Sequence, residues 1–355
     1  MGQWGEMSRV VHHLTPTFRP HDALGTHVRS LHELLKGNGC ESLIWTADKG
    51  EATPARAIKH FSASENGQDV LIYQLAIGSP LADFALRRTE TLVVNYHNMT
   101  PSLYLDKWAP EIAQQLKWGR RQLTELAKRT DLAIAVSEYN AAELRAAGFE
   151  NVCVVPVLIE MGASGDDSVN SNPGAKGARW LFVGRLVPNK SQHDLVASLD
   201  AYRKLYDPDA TLTLVGSGAP TYEKALLELA EQFGLLGAIK FKKEITEAEK
   251  VREFSNADVY ISLSDHEGFG VPLLEAMNHG VPVVALDRAA VSETIGSGGL
   301  LIADKSPTKV AATVNELLSD AKSKALLVES GHRRVNDFDL TLVSERYLKA
   351  LEPFL

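Results

Sequence analysis

Two successive series of short β-branched runs, each followed by a helical pattern, leave this chain few folds to choose from. In the first series residues 9–14, 42–46, 91–96, 132–136 and 152–155 read as buried strands, with helical periodicity at 26–36, 112–130 and 139–147. Strands alternating with helices of about 10–15 residues predict a parallel sheet covered on both faces. Between Met161 and Gly177 the composition changes to GASGDDSVNSNPGAKG, which holds too little apolar surface to offset chain ordering. A second series follows, with strands at 180–183, 211–215, 239–241, 259–263, 282–285 and 300–302 and a last helix at about 340–351. A chain of 355 residues suits two such units. The expectation is an α/β protein with two Rossmann-like, doubly wound domains facing a cleft. The first domain spans 1–160, 161–178 is a linker, 179–337 is the second domain, and a helix at about 338–355 packs back on the first. Ligands in such sheets bind beyond the carboxyl ends of the strands, so residues that follow strands carry the information.

Composition narrows the class further. A net charge of −8 argues against a nucleic-acid partner, which needs a basic surface. No apolar run approaches the roughly 18 residues of a membrane span. Residues 1–11 lack the basic start and long apolar stretch of a secretory signal. The two cysteines, Cys40 and Cys153, form neither a disulfide framework nor a metal cluster, so a reducing cytoplasm is expected.

The segment 260–280, YISLSDHEGFGVPLLEAMNHG, reads as strand, loop and helix. Gly268 and Gly270 lie in the loop, Pro272 falls in the first helical turn and Gly280 stands where a helix stops. Exposed backbone N–H groups at such a helix start attract a diphosphate. Glu267 and Glu275 flank that start, and a carboxylate accepts two hydrogen bonds from a vicinal diol, which suits sugar hydroxyls. Ordinary capping and surface roles are the alternative for both. A second constellation, FVGRLVPNK at 182–190, delivers Gly184, Arg185 and Lys190 straight after a buried strand. Fixed cations there stabilise the charge that develops on a departing diphosphate.

The run G-R-L-x-x-x-K, the turn LVGSG at 214–218, the strand ADVYISLS and the run E-G-F-G-x-P-x-x-E-A-M occur in this order. Together they resemble the donor site of the family 4 glycosyltransferases, retaining enzymes of the GT-B fold, strongly over the C-terminal half and more loosely before it. The resemblance implies that Arg185 and Lys190 bind the nucleotide diphosphate, Glu267 lies by the transferred sugar and Glu275 binds the ribose hydroxyls. It also places Gly184, Gly216 and the stretch Gly268, Phe269 and Gly270 at the donor. The base is read by backbone near 243–246, which leaves UDP and GDP open.

In the first half, His97 ends the strand TLVVNY and matches the family histidine that contacts the donor sugar and supports catalysis. The loop PHDALGT at 20–26 departs from the family's Gly-rich loop, with only Gly25 matching, and Thr26 caps the next helix. His12, His13 and His27 lack metal-ligand spacing and read as core or surface residues. No Asp-x-Asp element follows a strand, so the cations replace a divalent ion, and neither metal nor cofactor is expected.

The helix at 112–130 carries an apolar stripe of Ile112, Leu116, Leu123 and Leu126 beside Lys117, Arg121 and Lys128. Trp118, Arg120, Arg87 and Arg88 add cationic and interfacial character. Such a face fits an anionic membrane surface at the inner leaflet or a lipid-diphosphate acceptor; a solvated helix face is the plainer alternative. The expected activity is transfer of a hexosyl unit from a nucleotide diphosphate sugar to a hydroxyl of a glycan or lipid-linked acceptor, in cell-surface polysaccharide or glycolipid assembly. A nucleotide-sugar epimerase or sugar phosphorylase of the same fold, and a non-catalytic sugar-binding protein, are the rivals.

Overall fold

The computed structural model describes residues 9–18, 23–47, 54–63, 68–162 and 176–355. The chain divides into two compact units: Met1–Ser102, Glu111–Glu160 and Phe338–Leu355 form the first, and Leu103–Pro110 with Met161–Asp337 form the second. Most of the 161–178 linker, and the loop residues Pro20, His21 and Asp22, lie outside the described residues.

The first unit holds a seven-stranded sheet of β1 (Val10–Thr15), β2 (Glu41–Thr46), β3 (Arg56–Ala57), β4 (Val70–Leu75), β5 (Thr91–Tyr96), β6 (Leu132–Ala135) and β7 (Val152–Val154). Their spatial order is β3-β2-β1-β4-β5-β6-β7, and neighbouring strands pair in parallel. The helices between them are α1 (Ala23–Gly37), α2 (Pro80–Leu86), α3 (Pro110–Ala127) and α4 (Glu138–Ala146).

Sequence periodicity missed β4 and α2. All six residues of β4 are buried, and its apolar residues run on into Ala76 and Ile77, a short run that periodicity alone does not assign to strand or helix. The return helix α12 (Leu340–Leu351) presents Val343, Tyr347 and Leu351 at helical spacing, all buried with Val11, Leu31, Val93 and Ile134 in one core. Each such side chain contributes about 2 kcal/mol on burial, so α12 completes this core rather than decorating it.

The second unit holds six strands: β8 (Arg179–Val183), β9 (Thr211–Val215), β10 (Ile239–Lys242), β11 (Val259–Ser262), β12 (Val283–Leu286) and β13 (Leu300–Ile302). Their order is β10-β9-β8-β11-β12-β13, again with parallel pairing. The second unit's helices include α5 (Gln192–Leu205), α6 (Pro220–Gln232), α7 (Glu247–Asn256), α8 (Val271–Asn278), α9 (Val291–Ile295), α10 (Pro307–Ser319) and α11 (Ala321–Asn336). Strand β12 starts after Pro282, which has no N–H to give a ladder.

Candidate active site

The chain winds from β8 outward to β10 and then returns to β11 on the other side of β8. The loops after β8 and β11 therefore part at the carboxyl end of the sheet, where an α/β sheet opens to ligands. Gly184 and Arg185 lie on the first of these loops and Glu267 to Gly270 on the second.

Lys190 closes a 3-10 turn, Pro188–Lys190, and its Nζ lies 2.5 Å from Oε2 of Glu267. The side chains are only 15% and 13% exposed, so this pair is partly withdrawn from water and less screened than a surface pair. Asp265 N–H donates to the Asn189 carbonyl at 2.9 Å, and Asn189 Nδ2 donates to the His266 carbonyl at 3.3 Å. From the far side, Ala290 N–H donates to the Glu267 carbonyl at 3.2 Å and Thr294 Oγ1 to that of Phe269 at 2.5 Å. The carboxylate is thus presented by a loop tied down at both flanks. Arg185 is exposed, its guanidinium without an ion pair among the described residues.

Beside them the turn after β9 lies backbone to backbone with the turn after β8. A Cβ on Gly216 would fall 2.1 Å from the Gly184 carbonyl oxygen, and one on Gly218 would fall 1.7 Å from that of Leu186. Leu186 and Gly218 form an isolated parallel bridge, and Glu223 accepts from Gly218 N–H at 2.7 Å. Glycine is required here by approach. Gly218 and its partner Glu223 were missed as determinants of this turn.

Helix α8 opens on Gly270, at φ 95°, with Pro272 in its first turn and no side-chain cap on its N–H groups. Pro272 has no N–H and Leu273 N–H donates to the Gly270 carbonyl at 2.9 Å, so in this turn the Val271 amide is the one left to an anion. Its other end closes with Gly280 at φ 66° and a hydrogen bond from Val281 N–H to the Ala276 carbonyl at 2.9 Å, the Schellman arrangement. Within α8, Glu275 is held by Lys250 at 2.8 Å, and Lys250 also meets Glu247 at 2.8 Å. Burial works to lower the Lys250 pKa, but the Glu275 and Glu247 carboxylates outweigh it and the lysine titrates above its ordinary range. Lys250 was missed from the sequence; the Thr246–Glu249 capping box, which fixes where α7 starts and hence which face Lys250 shares, is the signal that could have pointed to it.

In the first unit, His97 follows β5 and its Nε2 lies 2.7 Å from Gln74 Oε1 on neighbouring β4. The His97 and His27 rings meet edge to face at 4.9 Å. Burial lowers the His97 pKa to about 3, so the ring is neutral near pH 7. With Nε2–H given to Gln74, Nδ1 keeps a lone pair for a hydroxyl donor. His27 Nδ1 accepts from Leu158 N–H at 2.9 Å, and the Asn95 amide lies 2.7 Å from Nε2. A neutral ring accepting at Nδ1 carries its proton on Nε2, so Asn95 presents its oxygen, an atom otherwise left without a partner. Gly25 is buried in the first turn of α1, and Thr26, expected to cap that helix, lies inside it because the helix already runs from Ala23.

His12 bridges Asp69 Oδ2 at 3.0 Å and Trp45 Nε1 at 2.9 Å, while His13 and His32 share the Ser42 hydroxyl. These are internal core contacts. Among the described residues no group of three or more His, Cys, Asp or Glu is arranged to hold a metal, and no helix is long and apolar enough to cross a membrane.

The basic face of α3 is smaller than its sequence suggested. Arg120 is spent on Glu143 and the Met99 carbonyl, Arg88 on Glu90, and Lys128 meets Glu125 at 2.9 Å. Ile112 is 39% exposed and leaves the apolar stripe, while Lys117 and Arg121 remain exposed.

Residues 166–334 match the family model of glycosyl transferases group 1. That stretch, just under half of the chain, is similar to the group 1 glycosyl transferases. Glycogen synthase of Mycobacterium tuberculosis is 30% identical to the chain over 180 residues, which are 49% of this chain and 43% of that protein. A phosphatidyl-myo-inositol mannosyltransferase of Mycolicibacterium smegmatis is 27% identical over 288 residues, 80% of this chain and 67% of its own length. The chain thus spans less than half the length of the first curated relatives it matches. Anabaena HepE, solved in complex with UDP and glucose, superposes with a TM-score of 0.75 at 19% identity, covering 96% of this chain and 99% of that one. The two parallel sheets are those of the GT-B fold. The matched stretch contains every motif residue from Gly184 to Glu275.

Proposed function

We propose that this chain is a retaining, metal-independent hexosyltransferase of the family 4 type. It moves a hexosyl unit from a UDP- or GDP-linked sugar to a hydroxyl of a glycan or lipid-linked acceptor, in cell-surface polysaccharide or glycolipid assembly. The observation that carries this reading is the Lys190–Glu267 pair at the β8/β11 switch point, beside exposed Arg185 and the uncapped start of α8.

Arg185 and Lys190 take the diphosphate, and the Gly268–Gly270 amides add backbone donors. Glu267 orients the hexose through its hydroxyls, and Glu275 takes the ribose diol, steadied by Lys250. The backbones of Gly184 and Gly216 let the diphosphate approach closely. His97, as a neutral acceptor, and Gly25 are assigned to the donor sugar on the resemblance to family 4.

In the reaction the bond from the anomeric carbon to the diphosphate oxygen breaks with its electron pair going to the diphosphate. The acceptor oxygen bonds the same face of that carbon, and its proton passes to the departing phosphate oxygen. Charge grows on the diphosphate as this happens, so fixed cations favour the transition state over the bound donor. With two cations in place, no divalent ion is needed and no cofactor is required. A lipid-linked acceptor would be met at the cytoplasmic face of a membrane, where exposed Lys117 and Arg121 suit anionic headgroups.

The test is thermal stabilisation by UDP, GDP, ADP and their sugars, with and without chelator. One diphosphate at 100-fold over its Kd is expected to stabilise the folded protein by about 2.7 kcal/mol, unchanged by chelator. A folded protein that no nucleotide stabilises overturns the reading, and loss of the shift in chelator overturns metal independence.

A further inference from the structure

We propose that Lys305, outside the donor motifs, is a positioning residue that fixes Lys190 and Glu267 from behind; this rests on the donor site proposed above. Lys305 lies in the loop between β13 and α10, and its Nζ reaches three side chains at once. It is 2.8 Å from both carboxylate oxygens of Asp265, 2.8 Å from Asp194 Oδ2 and 3.1 Å from Ser191 Oγ. An ammonium has three donors and no acceptor, so this arrangement uses it fully.

The partners are the neighbours of the site. Ser191 directly follows Lys190, and Asp265 precedes Glu267 by two residues. Ser191 is fully buried and holds φ 53°, ψ 37°, a left-handed conformation that serine seldom adopts. Its hydroxyl caps neither adjoining helix and is directed to Asp265 Oδ2 at 3.0 Å. The left-handed turn thus ends the Pro188–Lys190 turn and starts α5, and the Asp265–Lys305 pair holds it in that conformation. Without Lys305, the Asp194 and Asp265 carboxylates would be left without their shared cation, Ser191 would lose an anchor, and Lys190 would be free to leave Glu267.

Three variants decide this: K305M, S191G and K305M/S191G, with K305Q, which keeps two donors without the charge, as a milder change should K305M not fold. Glycine adopts the left-handed conformation without strain, so it replaces the clamp's backbone role. In nucleotide-free protein, amide exchange at residues 191–195 is expected to quicken at least about tenfold in K305M and to return toward wild type in K305M/S191G. With donor and acceptor, kcat of K305M falls on the order of 10²-fold while the donor KM changes by less than about threefold, and S191G recovers part of the loss. Unchanged exchange in K305M or in K305Q overturns the proposal, as does unchanged kcat, or a loss that S191G does not relieve. If the wild type binds no nucleotide diphosphate, the donor reading falls on that result alone, and the exchange measurement still decides the clamp.

Discussion

Acid should unfold the first unit earlier than its carboxylates alone would require. His13 lies in β1 with no exposed surface, and burial, helped by nearby His32 and His12, lowers its pKa to about 3. Burial does the same to His97, also to about 3, and drives His27 down as well. For each, the unfolded chain takes up a proton near the ordinary value of 6.5 while the folded chain refuses it until about pH 3 for His13 and His97. Their stabilising contribution is therefore complete above pH 6.5 and is lost progressively as pH falls from there towards 3. Between pH 7 and 5 the loss is about 2 kcal/mol per histidine, or about 4 kcal/mol for His13 and His97, with His27 acting in the same direction. That is a large part of a domain's usual stability of about 5–15 kcal/mol.

The assay is the opening free energy of β1 amides by hydrogen exchange at pH 7 and 5, which reports this unit without the other. His13→Gln gives the internal check. Its amide can reach Ser42 as Nε2 does, and the lost Nδ1 has no partner in the native core. The variant should lose about 2 kcal/mol less than wild type over the same pH interval. Equal losses in the two proteins would refute the assignment of His13 as a buried neutral ring.

Two further outcomes follow from the donor site. Replacing Arg185 or Lys190 by alanine should lower turnover about 10²- to 10³-fold, with the melting temperature nearly unchanged for exposed Arg185 and lowered for Lys190, whose loss leaves Glu267 unpaired, and normal turnover in both would remove the cationic role. Gly216→Ala should cost about 3 kcal/mol or more in urea unfolding of the second unit, because its Cβ meets the Gly184 carbonyl oxygen at 2.1 Å and φ is 136°. A fully stable G216A protein would show that the two turns can separate freely.

The parallel architecture was legible because strands buried on both faces write themselves as apolar runs between helical patterns. A run of the same kind at β4, VLIYQL with one polar residue, went unread, and with it Gln74, the partner of His97. In the second unit the motif residues were visible because glycine, proline and charge cluster in loops after strands. Their supports were not. Lys305 is 40 residues from Asp265, and Lys250 is 25 from Glu275, so only folding pairs them. The basic face of α3 misled for a related reason: Arg120 reaches Glu143 on α4, a contact no helical wheel displays.

The return of α12 to the first unit bears on how the chain emerges from a ribosome. Val343, Tyr347 and Leu351 close the core around Val11, Leu31 and Val93, yet they are synthesised only after the second unit's long segment Met161–Asp337. The first unit, begun before the second, must wait with an open apolar face while the whole of Met161–Asp337 is made. The second unit, apart from Leu103–Pro110, is continuous and can fold as soon as it is out. Synthesis order and completion order are thus reversed, and the waiting half is the one exposed to chaperones and to aggregation.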